Sequence, residues 1–465
     1  MPSPAGISPS PTILLPDLPP KTLVGVDLVS FTSTHQFHGI RDLPNGWHFL
    51  YTGTTESLSI RCGAWLYVGD INSIDGVEDA AAISGPYDSP SAEVFIWIWN
   101  PETETLTPLK GDNDNEKQQA MRLKANLGHV WQTGGLFRYR SRVSSSVTPA
   151  AGGDAGAAQD TYDEEDEDEG KREWAALTDR LSPRLFSRVV GRPEFDSDGR
   201  PRWVVTSAST ARADTEHIPG ISSPNRESAS QGNQENEFTF LPIDLKRTWR
   251  EGAIGRERTE AAQDRSWALG DLIDRYSDEM SGGTQQDKER SGEAQVLGEL
   301  QFTFLMTLTL MNYSCLQQWK RLLGLLLTCR GAIQDREPFM ASVLRLLLLQ
   351  LKRSDDVEGG FFAIDTEEGD IFLRNYLTKF NRTVTELAVV ADSNVKTEMA
   401  KLEDFVRKEY DWELQPQTFV RRGMVQLEDG EEIEMEMNDD ENEETGEYAP
   451  LVVEFEEEKS RKTPI

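Results

Sequence analysis

The clearest pattern of hydrophobic and polar positions lies in the run Glu93-Val-Phe-Ile-Trp-Ile-Trp. If this run is a strand, successive side chains point to opposite faces. One face then carries the aromatic residues Phe95, Trp97 and Trp99, and the other carries the aliphatic residues Val94, Ile96 and Ile98. Because both faces are apolar, both must be covered by other parts of the fold. The pattern therefore predicts a central strand in a sandwich or barrel-like fold.

Other strand patterns surround this one. Strands are predicted for residues 22–28, 63–68 and 203–206. The pair Asn45-Gly46 stands between two apolar runs, and both residues tolerate positive φ, so it predicts a β-hairpin. Two helices, over 116–127 and 174–190, interrupt the strands, and Pro183 breaks the second. The region from 22 to 207 is thus predicted to be a β-rich domain.

After residue 238 the apolar positions follow a helical period. Helices are predicted over 259–276, 295–313, 314–329, 338–351 and 370–390. One further stripe recurs at spacings of four, three and four, which is the spacing of one helix face: Val395, Met399, Leu402 and Val406. Short connections and no strand signals predict an all-α helical domain over 238–422.

Four segments lack the apolar residues that a core needs. Residues 1–21 are rich in proline and are predicted to be a flexible arm. Residues 141–170 consist mainly of Ser, Ala, Gly, Asp and Glu, which predicts a disordered acidic insertion. Residues 208–237 read as a linker, and 423–465 as a disordered acidic tail. The predicted fold class is α+β with several domains.

The charge of the chain is concentrated in two tracts. Sixteen acidic residues lie between Glu428 and Glu458 and eight between Asp160 and Glu169, which leaves only −8 of the net −32 for the remainder. Phosphate backbones repel such a chain, so direct binding of nucleic acid is not expected. An acidic tail is more typical of a solvated tether or a ligand for a basic protein surface.

Targeting signals are not evident. The N-terminal residues have neither a basic region nor an apolar run, so no signal peptide is expected and we predict a cytoplasmic and nuclear protein. The uncharged stretch 300–318 contains eight polar residues of the types Gln, Thr, Asn and Ser, which favours a buried bundle helix over a membrane span. We therefore expect no association with a membrane.

Catalytic chemistry has few candidates in this sequence. His35, His38 and His48 could converge as metal ligands in a β-barrel, which gives the alternative hypothesis of a metalloenzyme fused to a helical domain. No carboxylate stands at a matching spacing, so separate histidines are the favoured interpretation. The three cysteines lie in apolar surroundings and are predicted to be buried and inert. We predict no catalytic, cofactor-binding or metal-binding residues and no enzyme activity.

A short β-prone segment, 448–455, lies within the acidic tail. Leu451, Val453 and Phe455 alternate with Val452 and Glu454, as on the two faces of a strand. A strand without a core of its own suits β-augmentation, in which it extends the sheet of another protein. The alternatives are that it docks on its own domain or has no binding role. These five residues are the predicted partner-binding site.

Four stretches of the sequence resemble the A1 cistron-splicing factor (Aar-two) family. They follow one another in the family's order: Gly25-Val-Asp-Leu with Phe37-His-Gly-Ile-Arg-Asp-Leu-Pro-Asn-Gly-Trp-His-Phe-Leu, then Arg61-Cys-Gly-Ala-Trp-Leu, then Gly298-Glu-Leu-Gln-Phe-Thr-Phe with Gln318-Trp-Lys-Arg-Leu-Leu-Gly-Leu-Leu, and Ala449-Pro-Leu-Val-Val-Glu. The third stretch is the most specific. The resemblance covers both predicted domains and the tail.

The resemblance implies a non-enzymatic pre-mRNA splicing factor without cofactors. Family members are assembly chaperones of the U5 snRNP, and they bind the C-terminal RNase H-like and MPN-type domains of its large scaffold protein. Their tail adds a strand between these domains and delays docking of the helicase that unwinds U4/U6. By this resemblance, Leu451, Val452, Val453, Glu454 and Phe455 would form that strand. The insertion 141–170 and the long acidic tail depart from the family pattern.

Overall fold

The structure is a computed structural model that describes most of the predicted elements. It covers residues 10–54, 59–71, 93–141, 164–211, 214, 237–277, 284–354, 361–364, 369–387, 393–414, 421–426 and 432–437. For residues 164–166, 363–364, 421–426 and 432–437 it describes the backbone alone.

The chain forms two compact units, each assembled from separate segments. The first comprises Met1–Leu241, Tyr276–Lys320 and Arg345–Gly369, and the second comprises Pro242–Arg275, Arg321–Leu344 and Asp370–Ile465. The predicted domains, 22–207 and 238–422, are each one continuous stretch of chain. The two observed units instead each combine three separate stretches.

Strands dominate the N-terminal half. They are β1 Thr12–Leu14, β2 Leu23–Val26, β3 Val29–Thr32, β4 Gly39–Arg41, β5 Gly46–Gly53, β6 Arg61–Val68, β7 Val94–Asn100, β8 Thr105–Pro108, β9 Leu136–Arg138, β10 Glu194–Phe195, β11 Pro201–Thr206, β12 Thr210–Ala211 and β13 Glu237–Phe238. A five-stranded sheet has the order β8-β7-β1-β4-β9, and a six-stranded sheet has the order β10-β11-β6-β5-β2-β3.

Helices dominate the C-terminal half, as predicted. The helices of the described residues are α1 Asp114–Gln132, α2 Glu164–Thr178, α3 Pro183–Val189, α4 Arg256–Gln263, α5 Ser266–Tyr276, α6 Gln285–Leu310, α7 Tyr313–Leu326, α8 Ala332–Asp335, α9 Glu337–Lys352, α10 Ile371–Glu386 and α11 Asn394–Tyr410. A 3-10 turn covers Phe361–Ile364. The predicted stripe on α11 is confirmed, since its four apolar residues are all buried.

The β-rich part of the first unit is a sandwich. Side chains of both sheets join one hydrophobic cluster, in which Ile13 and Phe95 of the five-stranded sheet pack with Leu50 and Leu66 of the six-stranded sheet. Strand β7 lies inside its sheet, between β8 and β1. Its aromatic face joins this cluster, and its aliphatic face packs on α1. The predicted central strand with two covered faces is confirmed.

Helices cover the outer face of the six-stranded sheet. Trp65 of β6 stacks on Trp174 of α2 with ring centroids 6.0 Å apart. Phe186 of α3 lies between Trp203 of β11, at 5.1 Å, and Phe302 of α6, at 5.9 Å. Because every residue of α6 from Gln295 to Leu310 is buried, the prediction of a buried helix near residues 300–318 is confirmed.

The predicted hairpin at Asn45-Gly46 is wrong. Strand β4 pairs with β1 and β9 in one sheet, whereas β5 pairs with β2 and β6 in the other. Residues 42–45 therefore cross between the sheets. Asn-Gly permits a reversal of the chain because Gly46 adopts a φ of 130°. The local signal predicts that turn, but the pairing of the flanking strands depends on distant residues.

Residues 10–21 are not the flexible arm predicted for 1–21. Strand β1 lies between β4 and β7, and the side chain of Ile13 is completely buried. Pro11 and Pro16 flank the paired residues, so neither removes a hydrogen bond from the ladder. Burial of the apolar run 13–15 outweighs the proline-rich composition. Residues 1–9 lie outside the described part of the chain.

The predicted disordered insertion, 141–170, is partly wrong because α2 begins at Glu164. The Glu167 carboxylate accepts a hydrogen bond from the backbone N–H of Ser141 at 3.0 Å. The Ser141 hydroxyl donates to the Glu167 carbonyl at 2.8 Å. Trp174 and Leu177 then anchor the acidic helix to the core. Residues 142–163 lie outside the described part.

Both ends of the predicted linker, 208–237, also belong to the fold. Strand β12 pairs in parallel with β13, and the Asn312 side-chain amide donates to the Ser209 carbonyl at 2.8 Å. Residues 212–213 and 215–236 lie outside the described residues.

The single helix predicted over 259–276 is two helices, α4 and α5. The Asp264 carboxylate accepts hydrogen bonds from the Ser266 backbone N–H at 3.0 Å and from the Arg330 backbone N–H at 2.9 Å. The buried Arg265 guanidinium donates to the Gly324 carbonyl at 3.3 Å. These long-range contacts stabilise a break that helical periodicity does not show.

The acidic tail predicted for 423–465 begins with regular structure. Strands β14 Arg421–Gln426 and β15 Glu432–Met437 pair antiparallel, with Met424 opposite Glu434. The prediction of disorder is therefore wrong for these residues. Residues 438–465, with the predicted β-prone segment 448–455, lie outside the described part.

Candidate functional site

The predicted partner-binding residues Leu451, Val452, Val453, Glu454 and Phe455 lie outside the described residues, and their role stays a prediction. Several residues of the resemblance motifs do lie in the described part of the chain. In the first unit they belong to two buried polar networks and line one cavity.

The first network joins Asp27, His48 and Tyr139 inside the sandwich. His48 Nδ1 lies 2.7 Å from Asp27 Oδ2, and the Tyr139 hydroxyl donates to the same carboxylate oxygen at 2.6 Å. The other carboxylate oxygen accepts the Phe49 backbone N–H at 2.9 Å. His48 Nε2 lies 2.8 Å from the Pro44 carbonyl oxygen. This network ties both sheets to the crossing at 42–45.

Both ring nitrogens of His48 face acceptors, which favours the doubly protonated imidazolium. Burial alone would lower the pKa of His48, but the charge and hydrogen bond of Asp27 and the bond to Pro44 raise it above its ordinary value. Burial also raises the pKa of Tyr139 well above its ordinary value, and Asp27 adds to this effect. Below the raised pKa of His48, Asp27 and protonated His48 form a buried ion pair.

The structure does not favour the metal site considered for His35, His38 and His48. Its buried partners occupy both nitrogens of His48, whereas His35 is exposed and His38 is half-buried. Within the described ranges, no group of three or more His, Cys, Asp or Glu side chains is placed to hold a metal ion.

A cavity of about 250 Å³ opens beside the Asp27–His48 pair. Lys171 and Asp179 are among its polar lining residues, and four aromatic residues also line it: Trp47, Tyr67, Tyr139 and Trp174. Both indole N–H groups are already used, since Trp47 donates to the Leu181 carbonyl and Trp174 to the Trp47 carbonyl. These bonds indicate a packing junction between β5 and α2 rather than a site with polar groups aimed at a ligand.

The second network surrounds Glu299 on α6. The Glu299 side chain is fully buried and pairs with Arg188, whose Nη1 lies 2.6 Å from its Oε2. The Leu241 backbone N–H donates to the same carboxylate at 3.0 Å, and the Gln318 side-chain amide donates at 2.8 Å. A carboxylate with three donors satisfies its buried charge.

Neighbouring motif residues extend this network along α6. The Gln301 side chain accepts from the Arg180 backbone N–H at 3.0 Å and donates to the Ala176 carbonyl at 3.1 Å. The Trp319 indole donates to Gln350 at 3.0 Å, and Gln350 donates to the Leu300 carbonyl at 3.0 Å. The motif residues from 298 to 301 and at 318–319 therefore fix how helices and the β-rich region join in the first unit.

Asp27 and Glu299 lie within the resemblance motifs, but their buried networks were not predicted, nor were Tyr139 and Arg188 as their partners. A signal existed for Glu299, because an acidic residue within an apolar helix must find a buried partner. No local signal identifies Arg188 as that partner, since 111 residues separate the two.

The cysteines are buried, as predicted. Cys62, Cys315 and Cys329 are free thiols with buried side chains. Burial raises the pKa of Cys62 to about 11 and raises the pKa values of Cys315 and Cys329 well above the ordinary range. A buried thiol with a raised pKa is a poor nucleophile at neutral pH, because little of it is thiolate.

No helix among the described residues is both long and apolar enough to cross a bilayer. This finding agrees with the buried position of α6, whose threonine hydroxyls donate to carbonyls one turn earlier in the helix.

Comparisons with known proteins match both halves of the chain. Residues 9–191 match the family model of the AAR2 N-terminal domain, and residues 240–415 match that of the AAR2 C-terminal repeat region. The human protein named "Protein AAR2 homolog" is 27% identical over 422 residues, which cover 86% of this chain and 89% of the relative. The Pongo abelii protein of that name has the same identity and coverage.

A relative of lower sequence identity matches a similar length of the chain. The Caenorhabditis elegans "Protein AAR2 homolog" is 20% identical over 409 residues, covering 86% of this chain and 94% of the relative. The two family models include residues of both compact units, and each of the three relatives covers 86% of this chain. The chain therefore belongs to the AAR2 family, as the sequence motifs predicted.

Proposed function

We propose that this chain is a non-enzymatic pre-mRNA splicing factor that acts as an assembly chaperone of the U5 snRNP. Membership of the AAR2 family over both family-model regions is the observation that carries the proposal. The buried networks around His48 and Glu299 agree with the proposal, because their polar groups bond to one another rather than face a substrate.

The proposed partner is the C-terminal part of the large U5 scaffold protein, with its RNase H-like and MPN-type domains. The tail segment Leu451–Phe455 would add a strand to the partner, with three apolar side chains on one face: Leu451, Val453 and Phe455. Neither nucleic acid nor membrane is needed for this contact. We expect the chain to meet its partner in the cytoplasm and to be found in the nucleus as well.

While bound, the chain would delay docking of the helicase that unwinds U4/U6. A competition experiment tests this claim with the scaffold's C-terminal region immobilised. Saturating full-length chain should reduce helicase binding at least about tenfold, and helicase in excess should release the chain. Simultaneous binding of both proteins without mutual loss of affinity would contradict the chaperone function.

A further inference from the structure

A basic and aromatic surface lies on the second unit, in the segment that leads into α4. Trp249 and Trp267 are half-buried, and an arginine guanidinium covers each ring. The Arg250 guanidinium carbon lies 5.6 Å from the centre of the Trp267 ring, and that of Arg258 lies 5.5 Å from Trp249. Such pairs are typical of surfaces that bind another protein, where Trp and Arg are enriched.

Hydrogen bonds fix the shape of this surface. The Thr248 hydroxyl donates to the Ala261 carbonyl at 2.8 Å, and Arg258 Nε donates to the Ala253 carbonyl at 2.6 Å. Between them, the Ile254 side chain is 72% exposed, one of the largest exposures of an apolar side chain in the described residues. A rigid surface that presents an exposed isoleucine and arginines loses little conformational entropy when it binds.

The charge of this surface is opposite to that of most of the chain. Five basic and two acidic residues lie between positions 246 and 258: Lys246, Arg247, Arg250, Arg256 and Arg258 against Glu251 and Glu257. Arg256 pairs with Glu260 on α4, and the arginines at 247, 250 and 258 are exposed to solvent. In a chain of net charge −32, such a surface attracts an acidic segment.

The tail of the same unit contains that acidic segment. Six acidic residues and no basic residue lie between positions 439 and 447: Asp439, Asp440, Glu441, Glu443, Glu444 and Glu447. The segment is tethered to this unit through the 24 residues that separate it from the buried Leu414, so its effective concentration is set by this tether and not by the protein concentration.

We propose that the acidic segment 439–447 binds the surface formed by Lys246, Trp249, Arg250, Ile254 and Arg258 in the free protein. The bound segment covers the exposed Ile254 and neutralises the arginines. This contact needs no partner protein and is independent of the proposed function. Because charge drives it, the segment leaves the surface at high salt.

Carbodiimide cross-linking of the full-length chain tests the proposal, since it joins a lysine only to a carboxylate in contact with it. Mass spectrometry should find Lys246 joined to the segment 439–447. The yield should fall at least about fivefold in 1 M salt, where the screening length is about 3 Å. It should fall similarly in full-length Arg250→Glu/Arg258→Glu and in Asp439→Asn/Asp440→Asn/Glu441→Gln.

Lys379 on α10 provides the control, because it is an exposed lysine of the same unit. Arg374→Glu on that helix is a matched charge reversal and should leave the Lys246 yield unchanged. Equal cross-linking of the segment to Lys379, or none to Lys246, would overturn the proposal. RNA binding gives a second test. If single-stranded RNA binds the native chain but not Arg250→Glu/Arg258→Glu, the surface is an RNA-binding site and the proposal is overturned.

Discussion

The Cα atom of Gly298 on α6 lies so close to the Arg180 carbonyl oxygen that a Cβ there would be 2.6 Å from it. Real Cβ atoms do not approach backbone oxygens so closely. Glycine at this position therefore lets α6 approach the turn between α2 and α3. The same turn bonds to Gln301, one helical turn further along α6. This contact explains why a glycine begins the most specific resemblance motif.

We expect Gly298→Ala to lower the free energy of unfolding by about 1 to 3 kcal/mol, because the backbone must shift to admit the methyl group. Chemical denaturation followed by tryptophan fluorescence measures this change. Gly128→Ala on α1 is the matched control. Its added Cβ meets no atom within 4 Å, so it should stabilise the protein by up to about 1 kcal/mol. Equal effects of both substitutions would contradict the proposed close approach.

Glu299→Gln should destabilise the first unit by about 3 to 5 kcal/mol, because it leaves the Arg188 charge without its buried partner. The new side-chain amide would also point an N–H group at the N–H groups that donate to the carboxylate in the native protein, and two donors cannot form a hydrogen bond. Glu194→Gln is the control, since its ion pair with Lys110 is exposed and should contribute less than about 1 kcal/mol. Denaturation midpoints that fall equally in both variants would contradict the importance of the Glu299 network.

The stability of the protein should depend on pH through His48. Its pKa is raised in the folded state, so the ion pair with Asp27 contributes fully below pH 6.5, the ordinary pKa. This contribution is lost as pH rises through the raised pKa. The free energy of unfolding should fall by at most about 1.4 kcal/mol per pH unit in that window.

Asp27→Asn removes the charge that raises the pKa of His48, so burial should then lower that pKa and the loss of stability with rising pH should disappear. Tyr139→Phe is the matched control, because it removes a hydrogen bond to Asp27 and keeps the ion pair. Identical pH profiles for native protein and Asp27→Asn would show that His48 is not charged in the folded state.

The cysteines should resist modification in the folded protein. Because burial raises their thiol pKa values, a disulfide reagent such as DTNB should modify fewer than one thiol per native chain within minutes at pH 7.5. In denaturant, all three thiols should react. Rapid reaction of a native thiol would show that one of these side chains is accessible.

The sequence predicts well which faces of a single strand or helix are buried. Alternation in β7 gives both of its covered faces, and the spacing of Val395, Met399, Leu402 and Val406 gives the buried face of α11. Partners remote in sequence were not predictable in this way. The chain bends at Asn45, but the hairpin predicted there does not form, because strand pairing sends β4 and β5 to different sheets.

Composition misled where a few buried contacts decide the structure. The acidic residues from Glu164 suggested disorder, but Glu167 bonds to Ser141 and Trp174 packs on Trp65. Likewise, the prolines before residue 20 hid the buried Ile13. The networks of Asp27 and Glu299 require partners from three or more elements, which no single stretch of sequence reveals.

The binding of the U5 scaffold's C-terminal region tests the central claim most directly. Full-length chain should bind it, and Leu451→Ser/Val453→Ser/Phe455→Ser should weaken binding at least about tenfold, because it removes the apolar face of the tail strand. Val452→Ser, on the other face, is the matched control and should have a smaller effect. Unchanged binding of the triple variant would contradict strand addition by the tail, and no binding by the full-length chain would contradict the proposed function itself.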